Sequence, residues 1–178
     1  MKATGNVRRI DELGRVVIPK EIRNTLRIKH NSPLEIFTDH EGEVILKKYS
    51  PVKELGLFAD DYAKALNQSL GHIACIADKD AIIAVAGTEN KRLLNKQLNP
   101  EIEKFMEERK VLLHAEPMAL TSDESVTYIS IITAPIIVDG DVVGAVILAA
   151  NNPDVKMSEL ELKMAETAAG FLGKQIET

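Results

Sequence analysis

A glycine and a proline five positions apart, Gly14 and Pro19, constrain the fold of the first 30 residues more than any other feature of the sequence. Gly14 suits a tight turn because it adopts a positive φ without steric cost. Pro19 ends a strand, since it lacks a backbone N–H, and it fits the first position of a helix. The pattern therefore predicts four short elements: a strand over residues 3–10, a turn over 11–14, a strand over 15–18 and a helix over 19–26.

The next segment carries the pattern of a β-hairpin. Residues 32–39 alternate apolar and polar side chains, and a turn at Gly42 leads into a second apolar stretch over residues 43–49. The short helix is expected to bury Ile22 and Leu26. A unit of about 50 residues with so few large side chains cannot bury much surface alone. We therefore expect this N-terminal unit to be an obligate dimer that shares strands between two chains.

Positive charge is concentrated in the same part of the chain. Residues 1–30 contain eight Lys/Arg and three Asp/Glu, whereas residues 51–178 contain twelve Lys/Arg and twenty Asp/Glu, and the whole chain has a net charge of -5. A basic segment joined to an acidic body is typical of a nucleic-acid-binding module with a separate partner domain. We predict DNA contact through six residues on one face: Arg8, Arg9, Arg15, Lys20, Arg23 and Arg27.

The spacing of three of these residues supports a shared face. Lys20, Arg23 and Arg27 stand at i, i+3 and i+7 and would form one stripe of the short helix. Arginine's planar guanidinium suits both phosphates and base edges. The interpretation that competes with DNA contact is a solvated surface on which these arginines pair with nearby acids.

The remainder of the chain predicts an α+β domain with an antiparallel sheet. Ser50 and Pro51 fit the start of an amphipathic helix that ends at Gly71. Strands are expected over residues 72–77, 82–87, 126–134 and 135–150, with a hairpin turn at 139–140, and a helix begins at Pro100. Ser158 and Glu161 form a capping box at the start of the last helix, whose small residues permit close packing.

The stretches "TGNVRRIDELGRVVIPKEIRNTLRI" and "LEIF…EVILKKY" resemble the swapped-hairpin DNA-binding domain of AbrB-type transition-state regulators. The resemblance implies a β-barrel whose strands are shared in a dimer, and a surface that reads DNA through shape and deformability. It also implies that Arg8, Arg15 and Arg23 match arginines that contact DNA in the family. Asn24 departs from the family pattern, because related domains often carry a second arginine there.

The whole chain resembles the stage V sporulation protein T family, through the segment "SPVKELGLFADDYAKALNQSLGHIACIAD" and the ending "MAETAAGF". The resemblance implies an AbrB-like DNA-binding domain over residues 1–50, a junction over 51–55 and a GAF-like domain over 56–178. It implies a transcriptional regulator of sporulation genes, both activator and repressor, associated with the nucleoid in the cytoplasm of the forespore. We expect a homodimer through the N-terminal domain, and a homotetramer through the helices over residues 52–70 and 158–176.

Two roles are expected for the GAF-like domain. GAF domains commonly bind small molecules between the sheet and a segment that covers it, here roughly residues 88–120, called the covering segment below. The candidate pocket residues are Thr88, Asn90, Lys91, His114 and Glu116. The sequence indicates no cofactor, so the ligand would be an unidentified small molecule. The alternative is that the domain only mediates oligomerisation.

Several sequence features argue against other classes of protein. The four histidines have no metal-ligand spacing, no phosphate-binding loop is present, and Cys75 lies in an apolar strand, so we expect neither a metal site nor an enzyme. An apolar signal segment and an apolar run of about 18 residues are both absent, which predicts a cytoplasmic protein. The alternatives are an antitoxin-type swapped-hairpin protein that binds a toxin and a GAF-type redox enzyme.

Overall fold

The computed structural model describes residues 5–87, 92–123 and 126–177. The chain forms two compact units, Met1–Tyr49 and Ser50–Thr178, called the head and the body. The division falls one residue before the predicted domain boundary. None of the helices within the described ranges combines the length and the apolar character that crossing a membrane requires.

The head contains one short helix and one hairpin. Helix α1 spans Lys20–Thr25, and strands β1 (Leu34–Thr38) and β2 (Val44–Lys48) pair antiparallel, with Leu34 opposite Lys48 and Thr38 opposite Val44. The Asp39 side chain closes the turn, because it accepts the backbone N–H groups of Glu41 and Glu43 at 3.0 and 2.9 Å. The predicted hairpin is therefore confirmed.

The predictions for the first 26 residues are only partly right. Residues 5–10 and 15–18 do not form strands in the single chain, because no strand of the described head runs beside them; the hairpin strands β1 and β2 pair with each other. Pro19 is the N-cap of α1 and not its first helical residue. Ile22 and Leu26 were both expected to be buried, but Ile22 is half-buried and Leu26 is 53% exposed.

The body is built on a five-stranded antiparallel sheet, so the predicted α+β class is confirmed. Its strands are ordered β4-β3-β7-β6-β5, with all neighbours antiparallel. Their bounds are β3 Ile73–Asp78, β4 Ile82–Ala86, β5 Leu112–His114, β6 Ser130–Val138 and β7 Asp141–Ala150. The predicted hairpin turn is confirmed, since Asp139 and Gly140 join β6 to β7 with φ of 49° and 82°. Strand β6 begins four residues later than predicted and continues through Pro135.

Helices cover the two faces of this sheet. Helices α2 (Pro51–Glu54), α3 (Gly56–Leu70) and α5 (Glu159–Ile176) pack on one face, and α4 (Pro100–Glu107) packs on the other. The single helix predicted after Ser50 is two helices, because Gly56 adopts a φ of 48° and interrupts it after Leu55. The predicted end at Gly71 is confirmed.

The capping box of α5 is also confirmed. The Ser158 hydroxyl accepts the N–H of Leu160 at 3.3 Å, and the Ser158 N–H and hydroxyl donate to Glu161 Oε2 at 2.7 and 2.6 Å. The hydrogen bonds from Ser158 lower the pKa of Glu161 to about 2. Because this pKa lies below its unfolded value, the stabilisation is present above about pH 4.5 and is lost as the pH falls towards 2.

Candidate nucleic-acid interface

A compact turn over residues 11–15 of the head orients Arg15, one of the predicted DNA-contacting residues. Asp11 Oδ1 accepts the N–H groups of Leu13 and Arg15 at 3.0 and 2.8 Å, and Oδ2 accepts Arg15 Nε at 2.8 Å. These bonds, led by those from Arg15, hold the pKa of Asp11 below its usual value. The turn includes Gly14 at a φ of 74°, as its sequence position predicted. The Arg15 side chain is thus oriented while remaining 70% exposed.

The pairing of Arg15 with Asp11 leaves other N–H donors of the Arg15 guanidinium available for DNA. A guanidinium has five N–H donors, and Asp11 engages the Nε edge. The fork formed by the two Nη groups is the part that binds phosphate or a guanine edge in two places. The alternative expected from the sequence, an arginine paired with a nearby acid, is therefore present at Arg15 and is compatible with DNA contact.

Helix α1 presents two more of the basic residues. Lys20 and Arg23 are one turn apart and both are exposed. Arg23 Nε donates to Ile18 O at 3.1 Å, which anchors the side chain across the start of the helix. Arginines whose orientation is fixed in the free protein lose less conformational entropy on binding.

Arg27 does not extend this stripe, so the predicted i, i+3, i+7 arrangement is wrong at its last position. The helix ends at Thr25, and Arg27 adopts a left-handed φ of 51° outside it. Its carbonyl accepts Lys48 Nζ at 3.1 Å, which joins the end of α1 to strand β2. Arg27 is half-buried, whereas Arg8, Arg9, Arg15, Lys20 and Arg23 are exposed.

The structure describes only part of the candidate pocket in the body. Thr88, Asn90 and Lys91 lie outside the described residues. His114 is half-buried on β5 opposite Ile131, and its ring lies 5.3 Å from that of Phe105 on α4. Glu116 is exposed two residues beyond β5. Their roles in ligand binding stay predictions.

Sequence reasoning missed the buried polar side chains of the body, among them Thr133 and Asp78. Thr133 on β6 is 1% exposed, and its hydroxyl has no hydrogen-bond partner among the described residues. It stands two positions from Ile131 and so faces the side of the sheet covered by α4. Asp78, at the end of β3, is 4% exposed and binds Ser50 and Lys53. An aspartate at the end of an apolar strand, in the turn "DKDA", was the only signal for it.

Cys75 and the metal-binding residue types are the features of the body that were considered for chemistry from the sequence. Cys75 is fully buried on β3, so its thiol is shielded from solvent and from substrates. Within the described part of the chain, no three side chains of the metal-binding types come together.

Comparison with known proteins shows strong similarity along the whole chain. A family model described as the C-terminal region of stage V sporulation protein T, a transcription factor, matches residues 54–177. Stage V sporulation protein T of Bacillus subtilis (strain 168) is 52% identical over 181 residues, covering 99% of each chain.

The head has relatives of its own. A second family model, described as the bacterial antitoxin MazE in antidote-toxin recognition, matches residues 7–54. The transition state regulatory protein AbrB of Bacillus subtilis (strain 168) is 61% identical over 51 residues, which are 29% of this chain and 52% of that protein.

The fold of the body is shared with GAF domains. The GAF domain of an Acinetobacter phosphoenolpyruvate-protein phosphotransferase superposes with a TM-score of 0.54 at 14% identity, covering 73% of this chain and 84% of that one. At this identity the likeness shows the fold alone, and the predicted GAF-like architecture is confirmed.

Proposed function

The chain belongs to the stage V sporulation protein T family of transcription factors, and we propose that it activates and represses sporulation genes by binding double-stranded DNA through its head. The observation that carries this proposal is the set of exposed, oriented arginines around the turn at Asp11–Arg15 and helix α1. They lie in the part of the chain that is 61% identical to AbrB. The protein would act on the nucleoid, in the cytoplasm of the forespore.

The charge distribution supports DNA as the partner of the head. Residues 1–30 have a net charge of +5 although the chain as a whole carries -5. Two heads side by side would double this local positive charge, whereas the negatively charged phosphate backbone would repel the acidic bodies. Phosphate contacts release counterions, so such binding weakens steeply as salt rises.

The same property provides a direct test of the proposal. We expect the affinity of the full chain for a 40-base-pair duplex to fall by roughly 100-fold or more between 50 and 200 mM salt. A binding titration by fluorescence anisotropy at four salt concentrations would measure the slope. Binding that is absent, or that does not change with salt, would contradict the proposed function.

We further propose that the head binds DNA as a dimer whose strands are shared. Among the described residues of the head, only Pro19 is buried. Large apolar side chains are exposed along it: Val7, Ile10, Leu13, Val16, Val17, Leu26, Ile36, Phe37, Val44, Leu46 and Tyr49. A unit with so little core is not stable alone. The segments over residues 5–10 and 15–18, which form no strand in the single chain, would provide the strands that pair with a second copy.

A second contact between copies is proposed on the outer surface of α3 and α5. The rings of Phe58, Tyr62 and Phe171 form one cluster, with centroids 5.6 to 6.1 Å apart. Phe58 and Phe171 remain 39% and 41% exposed, and Leu57 and Leu160 extend the apolar surface along the same two helices. An exposed apolar surface of this kind indicates a protein interface, which supports a homotetramer.

A charged residue placed in the cluster of Phe58, Tyr62 and Phe171 should divide the proposed tetramer into dimers. We expect Phe171→Glu to reduce the mass in solution from about 78 kDa to about 39 kDa, because each chain is 19.6 kDa and a buried carboxylate disfavours the contact. Light scattering coupled to size-exclusion chromatography would measure it. Leu113→Glu is the matched control, since Leu113 is equally exposed on β5. An unchanged mass for Phe171→Glu, or a loss equal to that of the control, would contradict the proposed interface.

An antitoxin role is the second candidate, because the head matches the MazE antitoxin family model. The match covers the head only, whereas the similarity to stage V sporulation protein T covers 99% of the chain. We therefore propose regulation of transcription as the function and no catalytic role, which agrees with the burial of Cys75. Binding of an unidentified small molecule by the GAF-like body, near His114, stays a proposal.

A further inference from the structure

The end of strand β3 carries a buried aspartate, Asp78, whose two carboxylate oxygens accept hydrogen bonds from different parts of the body. The Asp78 side chain is 5% exposed. Its Oδ1 accepts the backbone N–H groups of Asp80 and Ala81, both at 2.8 Å, and so closes the turn into β4. Its Oδ2 accepts the hydroxyl of Ser50 at 3.1 Å and the ammonium of Lys53 at 3.0 Å. One carboxylate therefore joins the sheet to helix α2.

Ser50 is the first residue of the body, directly after the last residue of the head, and Lys53 follows three positions later. Ser50 is the N-cap of α2 and has an extended backbone, yet its hydroxyl makes no capping bond to the helix. A serine at this position ordinarily accepts a backbone N–H of the first turn. Here the hydroxyl instead donates to Asp78, so the start of the body is attached to the sheet rather than capped on itself.

An apolar contact also holds helix α2 against the sheet. Val52 is fully buried, and its Cγ2 would lie 2.9 Å from a Cβ atom placed on Gly144 of β7. Only glycine at that position lets α2 approach the sheet so closely. Val52 and Asp78 therefore fix α2 at two points, one apolar and one charged.

The turn that carries Asp78 is itself held by the covering segment. The carbonyl of Asp80 accepts Leu98 N at 2.8 Å, and Ile82 N donates to Lys96 O at 3.0 Å. The Ser122 hydroxyl in turn donates to Leu98 O at 2.8 Å. Asp78 thus projects from a turn that hydrogen bonds immobilise on its other side, and it is a fixed anchor for α2.

We propose that Asp78 is a positioning residue for DNA binding, which fixes the start of the body so that heads joined through their bodies engage one duplex together. The inference rests on the proposed function. Linked binding sites gain affinity through a high effective concentration of the second site, and this gain falls when the linking segment becomes loose. Asp78 contacts no DNA in this proposal and acts only through Ser50 and Lys53.

Asp78→Asn is the most selective variant. The amide oxygen can still accept the turn N–H groups, whereas the charge that binds Lys53 is lost. We expect its affinity for a 60-base-pair duplex, long enough for two head dimers, to fall roughly 10-fold. Its affinity for a 20-base-pair duplex that accommodates one head dimer should stay within about twofold. Trypsin cleavage after Lys53, followed by mass spectrometry, should become roughly 10-fold faster as α2 loosens.

Two further variants separate positioning from stability. Glu161→Gln weakens the capping box of α5, where Glu161 lies beside His72 at the opposite end of β3 from Asp78; we expect both readouts to match the wild type. Ser50→Ala removes one bond to Asp78 without changing charge, so a smaller loss on the long duplex is expected even if Asp78→Asn does not fold.

The outcomes distinguish failure of this inference from failure of the proposed function. A wild-type protein that binds neither duplex would overturn the function itself. Normal wild-type binding, with Asp78→Asn and Ser50→Ala unchanged on the long duplex, would overturn the positioning role. Equal losses on both duplexes, or an equal loss in Glu161→Gln, would overturn it as well, because they would indicate a general loss of stability.

Discussion

Replacing Arg15 and Arg23 together by alanine is expected to lower the affinity of the full chain for duplex DNA by at least about 100-fold at 100 mM salt. In a head dimer the double variant removes four guanidinium groups from the binding surface. If each contacts a phosphate, the slope of log K against log salt should become shallower by roughly 3 to 4. Fluorescence anisotropy over a range of salt concentrations measures the affinity and the slope together.

The double variant should keep its fold. Both side chains are exposed, and the turn at Asp11 is still closed by the backbone N–H groups of residues 13 and 15. Lys79→Ala with Lys110→Ala is the matched control, because it removes the same charge from exposed positions of the body. We expect the control to bind like the wild type. If both double variants lose affinity equally, net charge and not the head surface governs binding.

Lysine at the same two positions tests how the arginines bind. Arg15→Lys with Arg23→Lys keeps the charge and removes the planar fork that binds in two places. If the two residues contact only phosphates, most of the affinity and the whole salt slope should be retained. A large loss in the lysine variant would instead indicate contacts to base edges or a bidentate phosphate geometry.

Features that depend on local chemistry were predictable from the sequence. The hairpin turn at Asp139–Gly140, the end of α3 at Gly71 and the capping box of Ser158 and Glu161 are each specified within two to four residues. In these cases the residue type determines the backbone angle or the hydrogen bond directly. The order of helices and strands in the body followed from such signals together with apolar periodicity, except for β5 and the division of the first helix into α2 and α3.

Features that depend on a distant partner were not predictable. The segments over residues 5–10 and 15–18 have the apolar pattern of strands, but a pattern does not supply the neighbour with which a strand pairs. The break in the helix after Leu55 lies at Gly56, and glycine occurs inside many helices without interrupting them. Arg27 was assigned to a stripe by assuming that α1 continued past Thr25.

The contact of Asp78 with Ser50 could not be inferred in the same way. The two residues are 28 positions apart, and no periodicity or spacing connects them. The serine and the following proline suggested an ordinary cap, and only the packing of α2 on the sheet turns the hydroxyl towards β3. The burial of Asp78 and the identity of its hydrogen-bond partners therefore became known only from the structure.

Gly144→Ala is expected to cause the largest loss of stability in the body. A Cβ atom at this position would overlap the carbonyl oxygen of Ala77 and would lie 2.9 Å from Val52 Cγ2. The first of these atoms belongs to the backbone of the neighbouring strand β3, so relief requires the sheet to shift. Overpacking of this kind costs about 3 kcal/mol of the free energy of unfolding. Urea unfolding followed by circular dichroism would measure it.

Gly170→Ala separates this steric effect from the general effect of replacing a glycine. A Cβ atom at Gly170 on α5 meets nothing within 4 Å, and alanine favours a helix more than glycine does, so a gain of up to about 1 kcal/mol is expected. Because Val52 belongs to α2, Gly144→Ala should also displace that helix and speed trypsin cleavage after Lys53. A loss below about 1 kcal/mol, with cleavage unchanged, would show that β3 and β7 separate easily and that the close seating of α2 is not required for the fold.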